Sequence, residues 1–461
     1  MWSLPRDRAT RVGNTIYLKL HQRLATGRKM TNLAHSTGSP FQATHGYRRY
    51  VLGLLLVVAT FNYADRYLLG ILLPDIKADL GLSDTQLGFI TGAAFTILYA
   101  FLGVPIAGLA DRFSRKKIIA AALAAWSAMT CLCGLAQSFI QLAVFRVLVG
   151  IGEAGCTPPS HSLISDYFSR AQRTSALAIF GLGSPLGVFV GFLLGGWIAE
   201  AAGWRWALVA FGAPGLIIAV ILYFTLRDPP RGHADGDTTI ATETPDMPSM
   251  WSTFLTLWAK KTFRHMILGG SMYGLIMVAV LVWIPSFFAR THGLEIGTIG
   301  TWLAFTNGIP HALGTLAGGM IADRLARKGV RGPILLCVAA QLLAAPFYAV
   351  VLLWPSSTGA FLWLIVPSFI GVMQGPVLYA TIQGVSSVQT RAVAAALMIL
   401  IINLIAGIIG PQLVGIVSDM TAATMGSDSL GFSLLIVASV CSLWSAAHFY
   451  LASRSIEEDL S

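Results

Sequence analysis

Charge is scarce in this sequence. Only 11% of its 461 residues are Asp, Glu, Lys or Arg, while 55% are hydrophobic; an ordinary soluble domain carries roughly 25% charged residues. So little charge cannot cover a water-facing surface, which excludes a soluble globular protein for most of the chain. Cysteine is scarce as well. Cys131, Cys133, Cys156, Cys337 and Cys441 are odd in number, sit in apolar segments and show no CxxC or Cys/His spacing. That excludes a disulfide framework and a zinc site, and leaves them as small buried hydrophobes. The sequence also lacks G-x-x-x-x-G-K-[ST], H-E-x-x-H and G-x-S-x-G, so neither an enzyme nor a catalytic residue, metal or cofactor is expected. The first 29 residues are basic and have no apolar core of the signal-peptide kind, and Met30 is an alternative start to Met1.

What is present is long apolar runs. A membrane-spanning helix needs about 20 predominantly apolar residues. Twelve segments meet that need, at approximately 50–74, 85–110, 116–136, 139–165, 173–200, 204–226, 264–290, 296–321, 332–354, 360–386, 391–418 and 430–452. The fold class expected is therefore an all-α integral membrane protein. The formal charge of +10 would suit a nucleic-acid partner if it were clustered, but it sorts by topology. With the amino terminus inside, 26 of the 31 Lys and Arg fall in cytoplasmic segments, and the exceptions are Arg66, Lys77, Arg146, Arg205 and Arg290. Alternate loops thus obey the positive-inside rule, which predicts a multi-pass cell-membrane protein with both termini cytoplasmic and no nucleic-acid partner.

The two halves repeat. A shift of 212 residues places Gly81-Leu82 on Gly293-Leu294, Gly88 on Gly300, Ala110-Asp111-Arg112 on Ala322-Asp323-Arg324 and Arg115-Lys116 on Arg327-Lys328 without a gap. The expected organisation is a cytoplasmic tail over 1–49, a six-helix domain over 50–226, a linker over 227–263, a second six-helix domain over 264–453 and a short tail over 454–461. In the linker Trp251, Phe254, Leu255 and Trp258 recur at helical spacing before Lys260-Lys261. That pattern suits a helix on the inner membrane surface or a loosely packed cytosolic one.

Parallel six-helix halves with a substrate site between them near the midplane resemble the major facilitator design. The stretch from Ala107 to Lys116 is similar to that superfamily's loop motif G-x-x-x-D-R-x-G-R-K, keeping its charges and replacing both glycines; the copy from Gly319 to Lys328 keeps the first glycine. The resemblance implies that Asp111, Arg112, Arg115, Asp323, Arg324 and Arg327 hold the cytoplasmic side shut in the outward-facing state.

Four charges fall deep in the apolar segments of the first half: Asp65, Arg66, Arg146 and Glu153. Unpaired, each would cost about 2.5 to 3.5 kcal/mol. Helix 1 runs outward and helix 4 inward, so Arg66 and Arg146 each lie about 12 Å from the outer end at 1.5 Å per residue. Asp65 is then at the level of Arg146, and Glu153 is two turns deeper on nearly the same face. A carboxyl at the midplane suits a proton carrier, with Asp65 the second choice. The always-charged planar arginines suit anion anchors, although a purely structural ion-pair cluster explains the same residues. Pro158-Pro159 should kink helix 4 beside Glu153. The second half offers only neutral cavity candidates, Phe305, Asn307, His311, Gln374, Tyr379 and Asn403. A charged half facing a largely apolar half suits an amphiphile with an anionic head.

The segments Asn62 to Tyr67, Arg146 to Phe168, Trp204 to Ala207 and Arg227 to Gly232 resemble the Spinster family of lipid transporters. The resemblance implies export or exchange of sphingolipid phosphates or lysophospholipids, coupled to protons, with Asp65, Arg66, Arg146 and Glu153 as functional residues and Asn62 beside them. A carrier of small organic anions or drug-like solutes is the alternative within transport; a membrane-embedded lipid receptor or enzyme is the alternative outside it. A monomer is expected.

Overall fold

In the computed structural model, the described residues are 41–460 apart from 42, 111, 236–249 and 388. The chain divides into Met1–Thr44 and His45–Ser461. Every element below belongs to the second unit, and among the described residues there is no strand. In chain order the α-helices are α1 His45–Leu80, α2 Asp84–Thr91, α3 Ala93–Ala110, α4 Arg115–Cys133, α5 Phe139–Glu153, α6 Thr157–Tyr167, α7 Arg170–Gly181, α8 Gly183–Ala202, α9 Trp204–Thr225, α10 Met250–Ala259, α11 Lys261–His292, α12 Ile296–Leu303, α13 Ile309–Ala326, α14 Arg331–Leu353, α15 Ser357–Gly371, α16 Gln374–Gly384, α17 Arg391–Met425 and α18 Ser429–Leu460.

Ten stretches are long and apolar enough to span a bilayer. One of these, Val393–Leu460, holds the two helices α17 and α18. A further crossing, α12 with α13, is interrupted by a turn of π-helix at Ala304–Gly308. The described residues thus make twelve crossings, several of them broken near mid-membrane: α2–α3, α5–α6, α7–α8, α12–α13 and α15–α16. Pro158-Pro159 does more than bend its helix. α5 ends at Glu153, residues 154–156 form a turn, and the prolines open α6, where their missing N–H groups cost nothing.

The repeat is written in the backbone. α1 passes through Pro74 to Leu80 and stops at Gly81, and α11 passes through Pro285 to His292 and stops at Gly293; both glycines have φ of 63°. That left-handed conformation costs a side chain energy and glycine little. After Gly81 a capping box closes the start of α2, with the Ser83 side chain accepting from the Gln86 N–H and the Gln86 side chain accepting from the Ser83 N–H.

Lipid supplies no hydrophobic drive between helices, so they associate by close fit of small residues. Gly183, Gly187, Gly191 and Gly195 form one face of α8, where a Cβ would meet Ala59, Tyr63, Ala64 and Leu68 of α1. Gly150 and Gly152 do the same for α5, against the carbonyl of Phe95 and the backbone of Trp126. These approaches bring α1 and α5 around one space, and that space holds the charges.

Candidate functional site

The deep charges of the first half form two linked pairs. Arg146 donates to Asp65 at 3.0 Å, and Thr130 donates to the other Asp65 oxygen at 2.7 Å. Arg66 donates through Nε to Glu153 at 2.7 Å and through Nη2 to Asn62 Oδ1 at 3.3 Å. The Arg66 guanidinium also faces the rings of Tyr99, Phe95 and Tyr63 at 4.5, 5.0 and 5.3 Å, and Arg146 lies 5.2 Å from the Phe95 ring. Cation–π contacts of this kind hold a cation where water is scarce. Two acids and two bases cancel, which is how a bilayer interior tolerates four charges.

The pairs differ in access. Asp65, Arg146 and Glu153 are buried, whereas the Arg66 side chain keeps 22% of its surface open. Arg146 therefore points into protein, held by Asp65 and Phe95, and Arg66 is the deep guanidinium that keeps an open surface. Oε1 of Glu153, Nδ2 of Asn62 and Nε of Arg146 are buried with no hydrogen-bond partner. Glu153 thus gives one oxygen to Arg66 and leaves the other without a partner.

All five basic residues that break the positive-inside pattern have an acidic partner. Besides the two deep pairs, Arg205 pairs with Asp79, and Lys77 and Arg290 both pair with Asp84. Asp84 lies at the membrane face opposite the ends of the described chain. It receives Lys77 at 2.5 Å, Arg290 twice at 2.7 Å and Ser418 at 2.6 Å. Asp419 in turn accepts the N–H groups of Asp84 and Thr85 at 3.0 and 2.7 Å, capping the start of α2. Lys77 and Asp84 belong to the first half, Arg290, Ser418 and Asp419 to the second, so this network ties the halves together. Sequence reasoning did not find it, although two of its members were already odd as basic residues on the wrong side.

Around this latch the halves touch through glycine. A Cβ on Gly88 would meet the Pro411 carbonyl, one on Gly92 the Gly407 carbonyl, and one on Gly300 the Phe192 carbonyl. The repeat partners Gly88 and Gly300 thus do the same work on opposite sides. Further in, Phe189 and Phe305 meet edge to face at 5.3 Å between ring centres. Beyond that pair the same helix faces are bare. Leu186 and Leu182 continue the Phe189 face and are 41% and 48% exposed; Ile309 and Leu313 continue the Phe305 face at 44% and 53%. On α17, Asn403 and Ile399 follow Gly407 at one-turn steps and are also exposed. The halves are closed on the side away from the chain ends and diverge toward them.

The neutral candidates of the second half separate into two groups. Phe305, Tyr379 and Asn403 are exposed. Asn307 and His311 instead line a small cavity inside the second half together with Tyr273, Gln341, Tyr348 and Ser368. Gln374 is buried and donates to the Gly371 carbonyl at 2.6 Å. Of the motif residues, Arg115 pairs with Asp166 of the first half and Asp228 of the linker, and also donates to the Pro229 carbonyl at 2.6 Å. Arg231 and Gly232 bond back to Ala110 and Asp166, so the Arg227–Gly232 stretch clamps this corner. Arg112, Asp323, Arg324 and Arg327 are exposed, and Asp111 lies outside the described residues.

Comparison with known proteins completes the assignment. The model of the Major Facilitator Superfamily matches residues 55–411. The chain belongs to that superfamily, and to its Spinster-like branch. It is 33% identical over 421 residues to an MFS-type efflux pump of Mycolicibacterium smegmatis, covering 90% of this chain and 95% of that protein. It is 28% identical over 395 residues to the hexuronate transporter of Bacillus subtilis, covering 85% and 92%. Among solved structures, it is similar to a bacterial homologue of the human lysosomal transporter Spinster, described as inward-facing and unoccupied, with a TM-score of 0.79 and 29% identity over 90% of this chain and 99% of that one. The chain is a membrane transporter of this superfamily rather than an enzyme.

Proposed function

We propose that this transporter carries an amphipathic anion of the lysophospholipid or sphingolipid-phosphate class by proton-coupled alternating access, with Arg66 as the anchor of the head and Glu153 as the proton carrier. The observation that carries the reading is the half-buried guanidinium of Arg66, 22% open beside the buried Arg146, already engaged by a buried carboxylate at 2.7 Å. One Arg66 cannot neutralise both Glu153 and a solute anion. When Glu153 takes a proton on its free oxygen, Arg66 is released to the solute and the cluster stays neutral; when the proton leaves, Glu153 reclaims Arg66 and the anion is expelled. Binding of proton and anion therefore reinforce each other, and linkage makes the effect reciprocal.

The remaining assignments follow from placement. Arg146 and Asp65 hold α5 against α1 and keep the Arg66 site in position. The apolar faces carrying Leu182, Leu186, Phe305, Ile309 and Leu313 receive the tail. By the positive-inside pattern the chain ends are cytoplasmic, so the closed side is external and this conformation is the inward-facing one, as in the Spinster homologue. Arg112, Asp323, Arg324 and Arg327, exposed here, close the cytoplasmic side in the opposite state.

The test is equilibrium binding across a pH series. Lysophosphatidylglycerol, a phosphodiester whose single charge does not titrate near neutral pH, should bind the unmodified protein more tightly as pH falls, and Glu153→Gln should bind it at every pH with the affinity that the unmodified protein reaches in acid. A pH slope that survives in Glu153→Gln removes Glu153 from the coupling. Glycerophosphoglycerol, which keeps the head and lacks the tail, should bind far more weakly; equal affinity would favour a small organic anion as the cargo.

A further inference from the structure

A second polar site lies at the membrane face where the chain ends, away from the central cluster. The linker helix α10 packs against the loop after α16 and leaves a cleft of about 310 Å³ lined by Ser252, Thr253, Thr256, Lys260, Ser387 and Thr390 together with apolar side chains. The polar lining is hydroxyl groups and one ammonium, with no carboxylate. Thr253 is only 2% exposed, and its hydroxyl oxygen has no hydrogen-bond partner. Leaving a buried hydroxyl unpaired is costly, and a ligand oxygen in the cleft would remove that cost. Lys260 is fixed at the rim by the carbonyls of Val385 and Asp459 at 2.8 and 3.1 Å, which uses two of its three donors. The Asp459 carboxylate is occupied elsewhere, accepting the Thr262 N–H at 2.6 Å.

The outer face of α10 sets the depth of this cleft in the membrane. Trp251 and Leu255 are 67% and 52% exposed, and Trp251, Phe254 and Trp258 stack in series with ring centres 5.5 and 5.3 Å apart. A tryptophan-bearing amphipathic helix of this kind rests at the level of lipid headgroups. We propose that the cleft is a binding site for a phosphate group, held by the Thr253 hydroxyl and Lys260, and that the phosphate is the headgroup of an anionic lipid whose chains lie beside α10. Hydroxyls and an ammonium supply donors that match phosphate oxygens, and basic pockets at this membrane face take anionic headgroups.

The experiment uses the full-length protein. Binding of phosphatidylglycerol, diacylglycerol and inorganic phosphate is measured by native mass spectrometry and titration calorimetry, on the unmodified chain, Thr253→Val and Thr253→Ser. Phosphatidylglycerol should bind over diacylglycerol, Thr253→Val should weaken it by about ten- to a hundredfold, the worth of one hydrogen bond to a charged group, and Thr253→Ser should restore it. Because that hydroxyl has no partner within the protein, Thr253→Val should not lower the melting temperature of delipidated protein, which separates lost binding from lost folding. Inorganic phosphate competing at equal affinity would keep the phosphate site and assign it to the free ion. Equal binding of phosphatidylglycerol and diacylglycerol with none of phosphate, or affinities that Thr253→Val leaves unchanged, would overturn the proposal.

Discussion

Replacing Arg290 by Met should open this transporter on the side away from its chain ends. Asp84 is 2% exposed and holds Arg290 through two bonds of 2.7 Å across the boundary between the halves. Its other charged partner, Lys77 at 2.5 Å, belongs to its own half and stays with it when the halves part. Arg290 is therefore the cation whose loss weakens the closed side selectively, while Ser418 and the Asp419 cap persist. Removing one partner from a buried charge pair costs about 3 to 5 kcal/mol. Lys77 offsets part of this, so the low end, about 3 kcal/mol, is the better figure, and it equals a shift of roughly a hundredfold in the equilibrium. A protein resting at about 100:1 in favour of the latched state would then populate both states comparably. Spin labels at Leu135 and Met420, exposed by 64% and 77% on that side, would report the change as a second, longer distance in double electron–electron resonance. Asp84→Asn with Arg290→Met should be less than additive, because both remove the same pair. A distance distribution identical to that of the unmodified protein, in a chain shown to sample both states, would refute the latch.

Two further substitutions probe the centre and the packing. Arg66→Ala should lower the affinity for an anionic amphiphile by about ten- to a hundredfold, whereas Arg66→Lys, which keeps the charge and loses the planar fork, should fall between; equal affinities in a binding titration would remove Arg66 as the anchor. Gly187→Leu has no room against Tyr63 and Ala64 of α1, so overpacking of about 1 to 3 kcal/mol or more should appear as a lower melting temperature in detergent, and an unchanged melting curve would show that α8 and α1 are less closely joined than described.

The terminal-face motif shows how resemblance and structure meet. Arg115 was expected in contacts that shut the cytoplasmic side, and here it is bound by Asp166 of its own half and Asp228 of the linker. A motif fixes residue types, but which half they engage depends on which face of the protein is closed.

Composition alone determined the membrane class, because a chain with 11% charged residues has no other solvent in which to fold. Helix number followed from apolar length. The repeat followed from matched residues such as Gly81 and Gly293, whose shared backbone conformation is a local property that sequence can carry. The level of the deep charges followed from helix rise, and so Asp65 was matched to Arg146 before any contact was visible. What helix rise could not supply was rotation and neighbour. Helix rise puts both arginines at one depth, yet Arg146 is buried against Asp65 and Phe95 while Arg66 reaches Glu153 and keeps 22% of its side chain open. The union of Asp84 with Arg290, separated by 206 residues, was likewise hidden: a long-range ion pair leaves no periodic trace in a sequence, and it exists only where two independently folded halves close on one another.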